Sequence, residues 1–146
     1  MKIILQRVSE ASVTIDNKIV SEINHGLLIL LGIAEEDSLE NIKWLTNKII
    51  NLRIFNDANC KMNLSVKDID GDVIVVSQFT LLANTKKGTR PSYIKAAKPE
   101  IAIPLYEQFI SQFEADFDKK ISTGVFGADM KVALINDGPV TIVLEK

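Results

Sequence analysis

Three polar side chains interrupt an apolar run at Val73-Ile-Val-Val-Ser77-Gln78-Phe79-Thr80-Leu-Leu82. As one continuous strand, the run puts Gln78 and Thr80 on the same face, about 6.6 Å apart, with Ser77 and Phe79 on the other. Polar groups on an otherwise apolar face must be hydrogen-bonded or must line a pocket. Either Thr80 is a strand-favouring residue satisfied by its neighbours, or the strand centre is a site. Directly after it comes the loop Asn84-Thr-Lys86-Lys87-Gly-Thr-Arg90-Pro-Ser92. Its cations are either a solvated surface or contacts for phosphate. Gly124-Val-Phe126-Gly-Ala-Asp-Met130 flanks an aromatic with glycines, as a backbone brought close to something would. Asn136-Asp-Gly138-Pro139 reads as the turn of a hairpin, and cis X–Pro bonds are rare, about 5–6% in folded proteins.

The scarce residues bound the chemistry further. There is one His, one Cys and one Trp. Zinc sites take about three to four protein ligands, which His25 and Cys60 do not supply. An all-oxygen magnesium site stays open, but no clustered acidic motif marks one, so no metal is expected. A triad with an imidazole base would have to use His25, which reads as a turn residue. Cys60 has no reactive-cysteine signature and reads as a buried or bystander thiol. A single Cys excludes an internal disulfide and suits a reducing compartment. An enzyme with this sequence must work largely without imidazole, thiolate or transition metal.

The elements that would hold these residues follow from periodicity. Residues 2–8, 12–16, 18–23 and 27–34 read as strands. Asp37-Ser-Leu-Glu40 resembles a capping box opening a helix to about Leu52, with Leu39, Ile42, Leu45, Ile49 and Leu52 on one stripe. Asn56–Gly71 is turn-rich, and 72–83 is a strand. A second helix spans roughly 100–117 with Ile103, Phe109, Ile110 and Phe113 inward; Pro104 suits only a first turn, so its regular part is expected to start late. Strands at 129–136 and 140–145 close the chain. The pattern predicts an α+β fold, a mostly antiparallel, barrel-like sheet with helices packed on one side.

Composition agrees with one globular domain over residues 1–146: 47% hydrophobic, 25% charged. The longest apolar run, Gly26–Ala34, is far short of the ~20 residues that span a bilayer, and the N-terminus does not read as a signal peptide. A cytoplasmic protein without membrane association is expected. The net charge of −2 gives no global field to attract nucleic acid, so an RNA partner must be held locally, and no DNA partner is expected.

Five segments, in order, carry a resemblance: Gln6-Arg7-Val8, Gly71–Leu81, Lys87-Gly-Thr-Arg90-Pro-Ser92, Thr123–Met130 and Asn136–Thr141. Over essentially its full length the chain resembles the bacterial D-aminoacyl-tRNA deacylases (the D-tyrosyl-tRNA deacylase family). The resemblance implies hydrolysis of the ester joining a D-amino acid, or mischarged glycine, to the terminal adenosine of tRNA, without a cofactor. It implies a homodimer with the site at the interface, Ser77, Gln78, Phe79 and Thr80 forming one wall. Gly138 and Pro139 would be cis and enter the partner's site, Arg7 would fix them, and Phe126 and Met130 would join the substrate-binding set. Side chains would do little chemistry; backbone contacts and the substrate's own 2′-hydroxyl would activate water.

That fits the scarcity already noted. An aminoacyl ester is activated, so positioning and N–H groups aimed at the oxyanion suffice; Phe79, with Thr80, is the expected donor. Thr80 as nucleophile lacks an evident base. Lys86, Lys87 and Arg90 are the expected RNA contacts. Three rivals are a small-molecule esterase or peptidase using Thr80 or Ser77, a silent tRNA- or protein-binding module, and a purely structural dimer. The first lacks a Gly-x-Ser-x-Gly elbow.

Overall fold

The computed structural model describes all 146 residues. In chain order the elements are β1 (Lys2–Ile15), β2 (Lys18–Ile23), β3 (Gly26–Gly32), α1 (Leu39–Ile50), β4 (Phe55–Asn56), β5 (Met62–Leu64), β6 (Asp72–Ser77), a 3-10 turn (Phe79–Leu82), α2 (Pro99–Phe117), β7 (Ser122–Thr123) and β8 (Lys131–Glu145). The main sheet runs β2-β1-β3-β6-β7, with β8 also paired to β1. β1 is antiparallel to β2, β3 and β8, whereas β3–β6 and β6–β7 are parallel. Ser21 and Ser122 hydroxyls bond the carbonyls of Thr123 and Glu22, bringing β7 round to β2. The result is a nearly closed, barrel-like mixed sheet with both helices on one side, the expected α+β architecture.

Strand periodicity sorts the core into two layers. Leu27, Ile29 and Leu31 of β3 and Val73 and Val75 of β6 face the helices, where Ile42, Leu45 and Ile49 of α1 and Phe109, Phe113 and Phe117 of α2 meet them. The alternate residues Leu28, Ile74 and Val76 face the opposite side, with Val8, Val13 and Ile23. Each strand is thus apolar on both faces, as a sheet covered on both sides requires.

Several boundaries differ from the sequence reading. The segments 2–8 and 12–16 are one strand, continuous because β8 pairs along its whole length. The strand expected over 72–83 stops at Ser77, and residues 79–82 turn into the 3-10 helix. Gln78 and Thr80 therefore do not share a strand face. Residues 129–136 and 140–145 are not two hairpin arms: both halves pair with β1 inside one strand, so Asn136–Pro139 is a bulge rather than a hairpin turn. α2 begins at Pro99, its first position, and passes regularly through Pro104. The missing proline N–H leaves without its helix donor the carbonyl of Glu100, an exposed residue, so the free acceptor lies on the solvent side of the helix. The inward stripe of α2 is Ala102, Tyr106, Phe109, Phe113 and Phe117; Ile103 is exposed and Ile110 only partly covered. On α1, Leu39 is exposed. Its capping pair is Ser38 and Asn41 rather than Asp37 and Glu40: the Ser38 N–H donates to Asn41 Oδ1 at 2.9 Å. Asp37 instead accepts from the Ala34 N–H at 2.6 Å and pairs with the Met1 amino group.

Candidate active site

The turn after β6 is set by the end of β3. The Gln78 N–H donates to the Leu31 carbonyl at 2.8 Å, extending the parallel ladder by one bond. Beyond it the chain folds over Gly32, where a Cβ would lie 3.1 Å from both Gln78 O and Leu81 Cβ. Only a residue without a side chain lets the turn seat this closely. The turn's own bonds run from Leu81 N–H to Gln78 O (3.2 Å) and from Ala83 N–H to Thr80 O (3.1 Å). The N–H groups of Phe79 and Thr80, at its start, have no partner within the turn. The Gln78 side-chain amide donates to the Thr80 hydroxyl, so these two polar side chains satisfy each other locally.

Beside the turn lies a cavity of about 300 Å³ lined by Ser77, Gln78, Phe79, Phe126, Met130 and Ala97, among others. Five of the residues singled out from sequence thus converge; Thr80 lies beside them without lining the cavity. Phe126 stacks edge-on against Tyr106, ring centroids 5.8 Å apart. The Tyr106 hydroxyl donates to the buried carbonyl of Val75 at 2.9 Å. Burial pushes its pKa up to about 12, so it remains a donor. Gly32, Tyr106 and Ala97 were missed in the sequence, because nothing local distinguishes a supporting glycine, tyrosine or alanine from core filling.

Gly138 and Pro139 sit elsewhere. Gln6 pairs with Thr141 and Val8 with Asn136, so a single β1 residue, Arg7, faces the four residues 137–140. Arg7 fills that gap. Its side chain is 7% exposed; Nε donates to the Asp137 carbonyl (2.9 Å) and Nη1 to the Ile54 carbonyl (2.6 Å), with the Asp137 carboxylate 3.5 Å from Nε. Asn136 closes the bulge, its Oδ1 accepting from the Val140 N–H at 2.8 Å and its Nδ2 donating to Thr141 Oγ1 at 2.8 Å. The Gly138–Pro139 bond is cis, and Gly138 has φ +133°, a conformation that glycine adopts without cost. Both residues are exposed. The bulge lies level with Leu27 and Val73, four residues before Ser77 along the parallel ladder, about 13 Å away in that direction. It does not line the cavity of its own chain.

The remaining candidates scatter. Lys86, Lys87 and Arg90 are exposed in the loop following the turn, and Lys86 lines a separate cavity of about 590 Å³ with Lys95, Lys146 and the acidic Glu36, Asp37 and Glu145. His25 is exposed, its Nε2 3.8 Å from the Asp137 carboxylate, near the bulge and away from the cavity. Cys60 is an exposed free thiol, a bystander rather than a buried one. No three His, Cys, Asp or Glu side chains come together as metal ligands, and no helix is long and apolar enough to cross a membrane.

With this geometry in view, comparison with known proteins is specific. A family model described as D-Tyr-tRNA(Tyr) deacylase matches residues 4–145. A D-aminoacyl-tRNA deacylase of Flavobacterium psychrophilum is 69% identical over 145 residues, covering 99% of this chain and 97% of the relative. One of Flavobacterium johnsoniae is 63% identical with the same coverage. Among solved structures, the c-Myc DNA Unwinding Element Binding Protein superposes with a TM-score of 0.95 at 40% identity, over 100% of this chain and 99% of that one. A structure described as a probable eukaryotic D-amino acid tRNA deacylase superposes at 0.83 and 15% identity, over 98% and 97%, and shares the fold.

Proposed function

The chain belongs to the D-Tyr-tRNA(Tyr) deacylase family, and from that premise we propose that it hydrolyses the ester of D-aminoacyl-tRNA, and of mischarged glycyl-tRNA, while sparing L-aminoacyl-tRNA. The observation that carries this reading is the pair of unpartnered N–H groups on Phe79 and Thr80 at the rim of a cavity that Ser77, Gln78, Phe126 and Met130 help to form. Water adds to the ester carbonyl, the oxyanion takes its hydrogen bonds from those N–H groups, and the C–O bond to the ribose breaks. The substrate's 2′-hydroxyl carries the proton from water toward the departing 3′ oxygen. The products are the free amino acid and a free 3′-hydroxyl. Preorganised donors of this kind contribute about 10²–10³ in rate each, and an activated ester needs little more.

Stereoselection belongs to the bulge. The exposed Gly138 and Pro139 of one copy enter the cavity of a partner in a homodimer, and their carbonyls take the substrate ammonium. An L side chain then has no room, whereas glycine, with no side chain, is not excluded. Two features support action in trans: the bulge is exposed and rigidly tied by Arg7 and Asn136, and it does not line the cavity of its own chain. Lys86, Lys87 and Arg90 meet the phosphates near the RNA 3′ end, and the enzyme works in the cytoplasm.

The test is deacylation of paired D- and L-tyrosyl-tRNA, with sedimentation of the same sample. Rapid loss of the D ester, persistence of the L ester and a dimeric mass are the expected results. Equal hydrolysis of both esters would make it an unselective esterase. Binding of tRNA without turnover would make it a silent module. A monomer with full selectivity would refute action in trans.

A further inference from the structure

Residues 84–98 carry five cations, Lys86, Lys87, Arg90, Lys95 and Lys98, and no carboxylate, in a chain whose net charge is −2. All five are exposed and none takes part in an ion pair. The segment is nonetheless ordered by backbone bonds. Asn84 and Ser92 exchange N–H and carbonyl groups at 2.8 and 3.0 Å, closing a lobe over residues 85–91. Beyond it, the Ala96 N–H donates to Tyr93 O and the Ala97 N–H to Ile33 O, both at 2.9 Å, anchoring the segment to the chain that follows β3.

Between these two anchors stands Tyr93. Its ring lies 5.1 Å from that of Phe79, edge to face at 73°. Phe79 is 56% exposed, Tyr93 39% and the adjacent Ile94 85%. Large aromatic surfaces left wet beside a basic, backbone-pinned segment suit single-stranded nucleic acid, because every base offers a π-face and the backbone needs cations. The charge selects the occupant: Lys86 and Lys95 share a cavity with Glu36, Asp37 and Glu145, yet none of the five cations is paired, and an apolar protein face would not call for five unpaired cations in the segment that carries Tyr93.

We propose, resting on the deacylase reading, that Tyr93 is the stacking surface for an unpaired base of the RNA 3′ end, and that residues 84–98 act as one grip around it. Tyr93 is a positioning residue: it holds the strand that carries the ester to the Phe79–Thr80 turn.

The experiment uses the full chain and D-tyrosyl-tRNA. Tyr93→Ala is expected to raise KM about 5–150-fold, the range set by loss of one base–aromatic stack, with kcat within about twofold of wild type. Tyr93→Phe is expected to restore KM to within about twofold. The salt dependence of KM should be unchanged in Tyr93→Ala, since no phosphate contact is lost, and flattened in the Lys86→Ala/Lys87→Ala/Arg90→Ala variant. An unchanged KM in Tyr93→Ala, or equal loss in the Ala and Phe variants, would overturn the proposal. A second measurement needs no turnover: quenching of 2-aminopurine in a short RNA ending in an unpaired 3′ tail. Quenching by wild type and Tyr93→Phe but not by Tyr93→Ala supports the stack; equal quenching by all three overturns it. Should wild type leave D-tyrosyl-tRNA intact, the deacylase reading fails and the fluorescence arm alone decides this one. Melting temperatures of the variants control for folding.

Discussion

Replacing Arg7 by methionine removes two charge-assisted hydrogen bonds from a side chain that is 7% exposed, those to the carbonyls of Asp137 and Ile54. Bonds to a charged group contribute about 1.5–3 kcal/mol each. The carbonyl of Ile54, a buried residue, loses this donor, whereas Asp137 is partly exposed and its carbonyl turns to water. A methionine of similar length recovers part of the packing. The expected net loss is about 3 kcal/mol. For 146 residues the unfolding entropy near 60 °C is about 0.3 kcal/mol/K, so the midpoint should fall by about 10 °C. Arg7→Lys keeps the charge but supplies one donor group for two divergent carbonyls, and should fall roughly half as far. Urea titration of the three proteins by circular dichroism reads the stability, and the ratio of D- to L-tyrosyl-tRNA hydrolysis reads the bulge. Selectivity should drop in both variants, more in methionine. A stability loss under about 1 kcal/mol for Arg7→Met would refute the assignment of the bulge's rigidity to this side chain.

Three other outcomes follow from the same geometry. Gly138→Ala places a Cβ 2.7 Å from Arg7 Nη2 at a φ of +133°; hydrolysis of L-tyrosyl-tRNA is expected to rise relative to the D ester, as measured by paired deacylation time courses. Gly32→Ala brings a Cβ to 3.1 Å from Gln78 O, so the turn must shift by a few tenths of an ångström; kcat should fall several-fold while stability drops by only about 1–3 kcal/mol, read from single-turnover rates and melting. Glu114 is held below the usual carboxylate range, first by its hydrogen bond from Lys120 and also by that from the Ile121 N–H. A depressed pKa stabilises the fold above about pH 4.5 and ceases to as pH falls through the folded value. The stability gap between wild type and Glu114→Gln, measured by denaturation at several pH values, should therefore be largest near neutrality and shrink steadily as pH falls below about 4.5.

Much of this fold is legible in the residues. The unbroken apolar runs 27–31 and 73–76 mark strands buried on both faces, and the stripe Ile42, Leu45, Ile49 marks a helix buried on one. Ser77 and Gln78 could be marked as polar groups in apolar surroundings and Phe126 as a glycine-flanked aromatic, whereas Phe79 and Met130 entered through the family resemblance. What could not be read depended on partners distant in sequence. Nothing in Val73–Leu82 says that the strand stops at Ser77; Gly32, more than 40 residues earlier, provides the seat for the turn. Asn136-Asp-Gly-Pro139 is as good a hairpin as a bulge, and the choice is made by β1, which accepts both flanks on one edge. Pro104 looked like a helix start because propensity cannot see that α2 is held by the phenylalanines that follow.

The pairing of β1 with β8 also sets an order of events during synthesis. β2 and β3 are complete by Gly32 and together occupy one edge of β1, whereas the other edge waits for residues 131–145. A ribosome adding about 5–20 residues per second exposes that open edge for several seconds. Through that interval β1 presents unpaired N–H and carbonyl groups to any neighbouring nascent chain. The bulge carrying Gly138 and Pro139 is made in the same late stretch, so the nascent barrel acquires its seam and its proposed selector of substrate handedness together.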